Sequence, residues 1–194
     1  MGTGRMIVLA LVMSTGLWGC GYNDLQGLDE DTKAAWSEVV NQYQRRADLI
    51  PNLVATVKGY AAHEKETLEG VVEARAKATS IQITPETLKD PVAFEQYQKV
   101  QAGLTSALGR LIAVAENYPN LKADQNFRDL QFELSGTENR ISVERQRYNE
   151  TVQAYNTRVR QMPTSLVASL FGFHVSDAYF NAAPTAKEAP KVQF

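Results

Sequence analysis

The stretch Gln42–Tyr60, QYQRRADLIPNLVATVKGY, decides how this chain is folded. Apolar residues recur in it every three or four positions, the mark of a helix with one buried face. Pro51 interrupts the pattern, because proline lacks an N–H and its ring crowds the preceding turn. Read as a break, Pro51 ends a first helix and starts a second. Arg45 and Arg46 then stand in a last turn, where cations complement the helix dipole. Asn52 is placed to cap the next helix. On that reading "RRADLIPNL" is a corner that carries Arg45, Arg46 and Asp48.

The same helical periodicity runs outward in both directions, from Leu28 to Ala47, Leu53 to Val71, Tyr97 to Tyr118 and Phe127 to Met162. A spacing near 3.5 suits helices packed at about 20° in a bundle. Pro119 marks a second short corner, "ENYPNLKAD", and "TSIQITPETLKDPVAFE" a longer loop framed by Pro85 and Pro91. Short connections join antiparallel neighbours. The expected fold is all-α: an up-and-down antiparallel four-helix bundle with long helices. An N-terminal membrane-targeting segment precedes it, and a short C-terminal helix, "TSLVASLFGFH", follows Pro163. Only "SIQI" hints weakly at a strand. First and third corners share one end in such a bundle. That end is expected to bring Arg45, Arg46 and Asp48 beside Glu116, Asn120, Lys122 and Asp124, as a docking surface for a partner.

The chain of 194 residues is 44% hydrophobic and 22% charged, with a net charge of −2. One globular domain fits that length. The near-neutral balance argues against a nucleic-acid partner. A single cysteine, Cys20, excludes an internal disulfide. Arg5 and the apolar run Met6–Met13 have the form of a secretory signal peptide. The segment then closes "LWGC", which resembles the lipobox of bacterial lipoproteins, with Trp18 a departure from the usual pattern. Lipidation of Cys20 is the expectation, and an uncleaved signal anchor or transmembrane helix the alternative. By resemblance to lipoprotein sorting, Gly21 favours the outer membrane of a two-membrane organism. The expected domains are 1–19 signal peptide or anchor, 20–182 helical bundle and 183–194 disordered tail.

Two blocks resemble the LemA family. They are "AAWSEVVNQYQRRADLIPNLVATVKGYAAHEKETL" and "YPNLKADQNFRDLQFELSGTENRISVERQRYNETVQAYN". "MPTSLVASLFGF", with Phe180 after it, is similar to that family's closing pattern, and "CGYN" to the start of its lipoprotein-type members. The resemblance implies an all-helical, membrane-attached bacterial protein of poorly defined function, with no catalytic residues to carry over.

Chemistry-bearing candidates are few. His63–Glu64 begins a zinc-type H-E-x-x-H motif, but Thr67 stands where the second histidine is required. No metal, cofactor or catalytic residue is assigned. Glu64, Thr137 and Glu144 fall on apolar faces. They read either as a buried carboxylate site or as a polar layer with a base such as Arg140. Tyr148–Asn149 and Tyr155–Asn156 stand seven apart, so one face carries both tyrosines and the adjacent face both asparagines. The favoured function is a membrane-tethered binding or scaffold module of the bacterial envelope. The alternative is an envelope enzyme, or a subunit of one, built around Glu64 and Glu144. A third class is membrane remodelling by the apolar C-terminal segment.

Overall fold

The computed structural model describes residues 3–81, 84, 88 and 90–181, with backbone alone for 3–20. The helices are α1 (Thr3–Tyr60), α2 (Lys65–Ser80), α3 (Pro91–Ala115), α4 (Pro119–Ala123), α5 (Gln125–Arg160) and α6 (Thr164–Phe171). The fold is an all-α helical bundle, as expected. The expected tail 183–194 lies outside the described residues, as do Pro85 and part of "SIQI".

The expected corner at Pro51 does not exist. Pro51 sits inside α1, a single helix of 58 residues, about 87 Å long at 1.5 Å per residue. Asn52 is likewise interior, and its carbonyl accepts from the Thr56 hydroxyl at 2.9 Å. The first corner falls instead at Ala61–Glu64. There the Glu64 N–H donates to the Ala61 carbonyl at 3.1 Å. A mid-helix proline removes the donor that would reach the carbonyl four residues earlier. Here that carbonyl belongs to Ala47, and Arg75 of α2 donates to it through Nε at 2.8 Å. A guanidinium from a neighbouring helix thus replaces the missing backbone donor. Ile50, Leu53 and Val57, on either side of the proline, are all buried in one cluster.

α5 runs antiparallel to α1 over nearly its whole length. Asp24 meets Arg158, Trp36 meets Tyr148, Arg46 meets Glu138 and Tyr60 meets Asp124. α3 runs parallel to α1, with Phe94 on Trp36 and Gln101 on Arg46. Its start is set by Asp90, whose carboxylate accepts from the Val92 and Ala93 amides, and by Pro91 in the first turn, where no N–H is needed. α2 is short and covers only the distal half, between α1 and α3.

Three clusters stack along the axis. The distal one is aliphatic and includes Leu53, Val57, Leu104, Leu111 and Leu134. The middle one is aromatic, built on Trp36, Phe94, Tyr97, Tyr148 and Phe180. The proximal one holds Leu25, Tyr155, Val159, Val167 and Ala168. α6 ends at Gly172, whose φ of 76° is the left-handed conformation that glycine adopts without a Cβ penalty.

Arg75→Met removes the donor that serves the Ala47 carbonyl and should destabilise the fold by about 1–3 kcal/mol, the cost of an unsatisfied buried polar group. Pro51→Ala restores the intrahelical donor, so its benefit should be larger in the Arg75→Met background. Urea-denaturation midpoints of the four proteins give the coupling. Strict additivity would show that the two residues do not share that carbonyl.

Candidate functional site

At the distal end, the loops that follow α1 and α3 meet the start of α5. The Tyr60 hydroxyl donates to Asp124 at 3.0 Å, and the Tyr118 hydroxyl to Glu64 at 2.8 Å. Lys122 pairs with Glu116, and Asn120 is exposed beside them. Asp124 also caps α5 by accepting from the Phe127 amide at 2.9 Å. That amide first, and the Tyr60 hydroxyl second, hold the Asp124 carboxyl below the usual carboxylate range. Its capping contribution is therefore present above the ordinary carboxylate pKa. It is lost only as pH falls through the lowered folded value.

Glu116, Asn120, Lys122 and Asp124 lie together in the corner that follows α3. Arg45, Arg46 and Asp48 are not with them. Because Pro51 does not end α1, these three lie twelve to fifteen residues below Tyr60, roughly 20 Å down the helix. Arg45 and Asp48 are exposed on the flank, where Asp48 accepts from Gln44 at 2.8 Å.

Arg46 is the residue that sequence reasoning misplaced most. It is 1% exposed. Its guanidinium donates to Glu138 at 2.6 Å, to Gln101 Oε1 at 2.6 Å and to the Thr105 hydroxyl at 2.8 Å. The Tyr43 ring lies 5.1 Å from its carbon. A buried charge needs this density of partners, because desolvation alone costs several kcal/mol. One arginine therefore ties α1 to both α3 and α5 at one height. Its position was readable: Arg46 stands seven residues from both Val39 and Leu53, on the apolar stripe.

The acidic alternatives do not form one site. Glu64 is at the distal corner. Glu144 lies twenty residues along α5 from Asp124, roughly 30 Å away. Its nearest base is Arg147 at 3.9 Å, whereas Arg140 is exposed. Thr137 is fully buried and returns its hydroxyl to the Glu133 carbonyl at 2.8 Å. The buried polar layer is Arg46–Glu138–Gln101–Thr105, not Glu64–Thr137–Glu144. Among the described residues, no group of three His, Cys, Asp or Glu side chains could hold a metal ion.

The asparagine face holds a strap. After α6 the chain turns back along α5 as an extended segment, 173–181. Asn156 donates to the Ser176 carbonyl at 2.7 Å and accepts from the Ser176 N–H at 2.8 Å. Asn149 makes the same pair with Phe180, both bonds at 2.9 Å. Each side-chain amide imitates the neighbouring strand of a sheet. Gln98 of α3 adds weaker bonds to Tyr179 and Asn181 from the other side. Phe180 is thereby set among Trp36, Phe94 and Tyr148, with Arg145 4.5 Å above its ring. The tyrosines of the two Tyr-Asn pairs are core residues, and burial raises both hydroxyls above their ordinary range.

Two measurements follow from these contacts. Arg46→Met should lower stability by about 3 kcal/mol, the low end for one partner of a buried pair, since Glu138 keeps contact with water. Arg45→Met on the flank should stay within about 0.5 kcal/mol. Equal urea midpoints for the two variants would show that the Arg46 network does not support the fold. Separately, Asn156→Leu leaves the Ser176 amide and carbonyl unpaired. Amide exchange at Ser176 should accelerate well ahead of exchange at Tyr148, and unchanged protection would mean that the Asn156 bonds do not hold the strap.

The LemA family matches residues 35–194 of the chain. Magnetosome protein MamQ 2 of Paramagnetospirillum magneticum is 28% identical over 184 residues, covering 84% of this chain and 65% of its own length. Magnetosome protein MamQ of Magnetospirillum gryphiswaldense is 28% identical over 182 residues, with the same coverage. Protein LemA of Metamycoplasma hominis is 24% identical over 165 residues, covering 83% of this chain and 71% of its own. The chain therefore spans about two thirds of the length of the MamQ relatives. With a match over most of its length, the chain belongs to the LemA family.

Proposed function

We propose that this chain is a membrane-tethered helical module of the bacterial envelope that presents its distal end to a protein partner. The observation that carries the reading is the continuity of α1. One helix runs from Thr3 to Tyr60. Retained as an anchor, the N-terminal apolar segment shares an axis with the bundle; with Cys20 as an acylated first residue, the same helix starts at the lipid. From Gly21 to Tyr60 that axis is roughly 60 Å long. A module so mounted stands off the bilayer and holds Asn120, Lys122 and Asp124 at its outer tip. Mixed charge at such a tip supplies steering and register more than raw affinity.

Lipidation of Cys20 is the preferred tether. Its side chain lies outside the described residues, and among the described residues no helix is long and apolar enough to cross a membrane. An outer-membrane location rests on Gly21, and an uncleaved anchor is the second reading. The enzyme reading loses its site, because Glu64 and Glu144 sit in separate layers.

The test has two arms in cells. Fatty-acid label should enter the wild type and be absent from Cys20→Ser, whose processing and membrane retention should also fall. Unchanged retention without label would replace the lipid tether by an anchor. In the second arm, a photo-crosslinking residue at Asn120 should give a discrete protein adduct. The adduct should weaken in Lys122→Glu and be missing when the crosslinker is moved to Ser37. An adduct of equal strength from both positions, or from neither, would remove the docking end.

A further inference from the structure

α6 has two faces of opposite character. Thr164, Val167 and Ala168 are buried against α1 and α5. On the other side Leu166 is 63% exposed and Leu170 62%, and Phe171, at the edge between the faces, is 55% exposed. Met162, just before the helix, is 69% exposed. Between Gln161 and His174 the sequence carries no acidic or basic residue. Scattered exposed leucines need no explanation, whereas a cluster of large apolar groups without a charge among them does.

The position of this cluster identifies what covers it. A Cβ added at Gly21 would lie 3.5 Å from Val167 and 3.8 Å from Thr164. The Tyr22 ring packs edge-on against Phe171 at 4.9 Å and against Phe173 at 5.8 Å. Thr164, Val167 and Phe171 span α6, yet all three meet α1 at two successive residues. α6 therefore packs against the part of α1 that begins at Gly21 and reaches Leu25. Gly21 and Tyr22 directly follow Cys20 and the apolar run Met6–Met13. A short helix at the foot of the rod, with large apolar side chains facing outward, stands at the height of the bilayer surface. That is the place and character of interfacial helices, which sink an apolar face into the headgroup–acyl boundary. Arg160, exposed at the edge of the cluster, is placed to meet anionic headgroups.

We propose that Leu166, Leu170 and Phe171, with Met162, form a foot that inserts into the phospholipid surface beside the tether. The proposal rests on the reading that the N-terminal segment holds the chain at a membrane, and it adds a second, non-covalent contact. The foot fixes the tilt of the rod, which a single acylated residue or a single helix leaves free.

The experiment uses the full chain in vesicles of equal parts phosphatidylethanolamine and phosphatidylglycerol. A benzophenone residue replaces Leu170 in one protein and Val72, on the exposed flank of α2, in another. Neither side chain belongs to the buried core. Both proteins should co-sediment with vesicles. On irradiation the position-170 protein should gain the mass of a phospholipid on the order of tenfold more often than the position-72 protein, as expected for a residue at the acyl boundary. Chain that sediments while position 170 yields no lipid adduct overturns the foot and leaves the tether standing. An adduct of two copies of the chain at position 170 assigns the face to self-association instead and likewise overturns the foot. Failure to sediment removes the tether and the foot together. As a second measurement, Leu166→Ser with Leu170→Ser should leave the urea midpoint unchanged and reduce lipid adducts from a benzophenone at Phe171.

Discussion

Proline at position 51 takes one donor out of α1, and the bundle is arranged around what replaces it. The Ala47 carbonyl lies in a buried stretch of helix, where an unpaired acceptor is costly. Arg75 reaches it from α2. That single bond docks α2 against α1 at a defined height and orients its lower end. With α2 so placed, the Ala78 carbonyl sits over Gln101, whose amide donates to it at 3.4 Å. Gln101 in turn accepts from Arg46. A chain of polar contacts therefore runs from the proline, through α2 and α3, to the buried arginine of the same helix. The proline and the arginine are five residues apart on α1 and are linked through two other helices.

The continuity of α1 was legible, but in the apolar residues on either side of Pro51 rather than in the proline. Trp36, Val39, Tyr43, Arg46, Ile50, Leu53 and Val57 alternate spacings of three and four across Pro51 without a shift. The alternation also runs on across the true corner, through Ala61, Leu68 and Val71, so phase alone marks neither position as a corner. A mid-helix proline costs about 3 kcal/mol in an isolated helix. Burial of Ile50, Leu53 and Val57 on both sides outweighs it, at roughly 1.5–3 kcal/mol per side chain. Weighing the proline against its neighbours' burial would have decided for one helix. The true first corner, Ala61–Glu64, has no comparable signal. The turn bond at Glu64, the burial of Ala61 and the Tyr118–Glu64 contact mark it only after folding.

The rest of the site divides in the same way. Arg46 and Gln101 each occupy an apolar-stripe position, so their burial followed from spacing alone. Their partners did not, because Glu138 and Thr105 come from helices whose register is set by tertiary packing. Asn149 and Asn156 were recognised as one face from their spacing of seven. What they bind could not be read, since the partner is an extended segment twenty and thirty-one residues downstream with no pattern of its own. Side-chain amides that imitate a strand need only backbone on the other side. At Ser176 the side chain accepts within the strap, from the Ala178 amide at 3.4 Å, whereas Phe180 is fixed by the aromatic layer.

The bundle also tapers, and the taper accounts for where its exposed apolar groups collect. The distal section is enclosed by four helices. The middle section has three, with the strap and Leu88 closing the gap around Trp36. The proximal section has two long helices and α6 packed against them. Two helices with one short cover cannot enclose a core in water, because each new apolar side chain on the cover adds an outer face as well as an inner one. Val167 and Ala168 fill the inner face with small groups, which lets α6 approach Gly21 closely. The large residues are then left on the outside. A longer cover or a fourth helix would bury them, and both would occupy the end at which α1 arrives from its apolar segment. The thin end is thus the end at which α1 arrives from its apolar segment, and the large side chains of α6 stay on its outer face there.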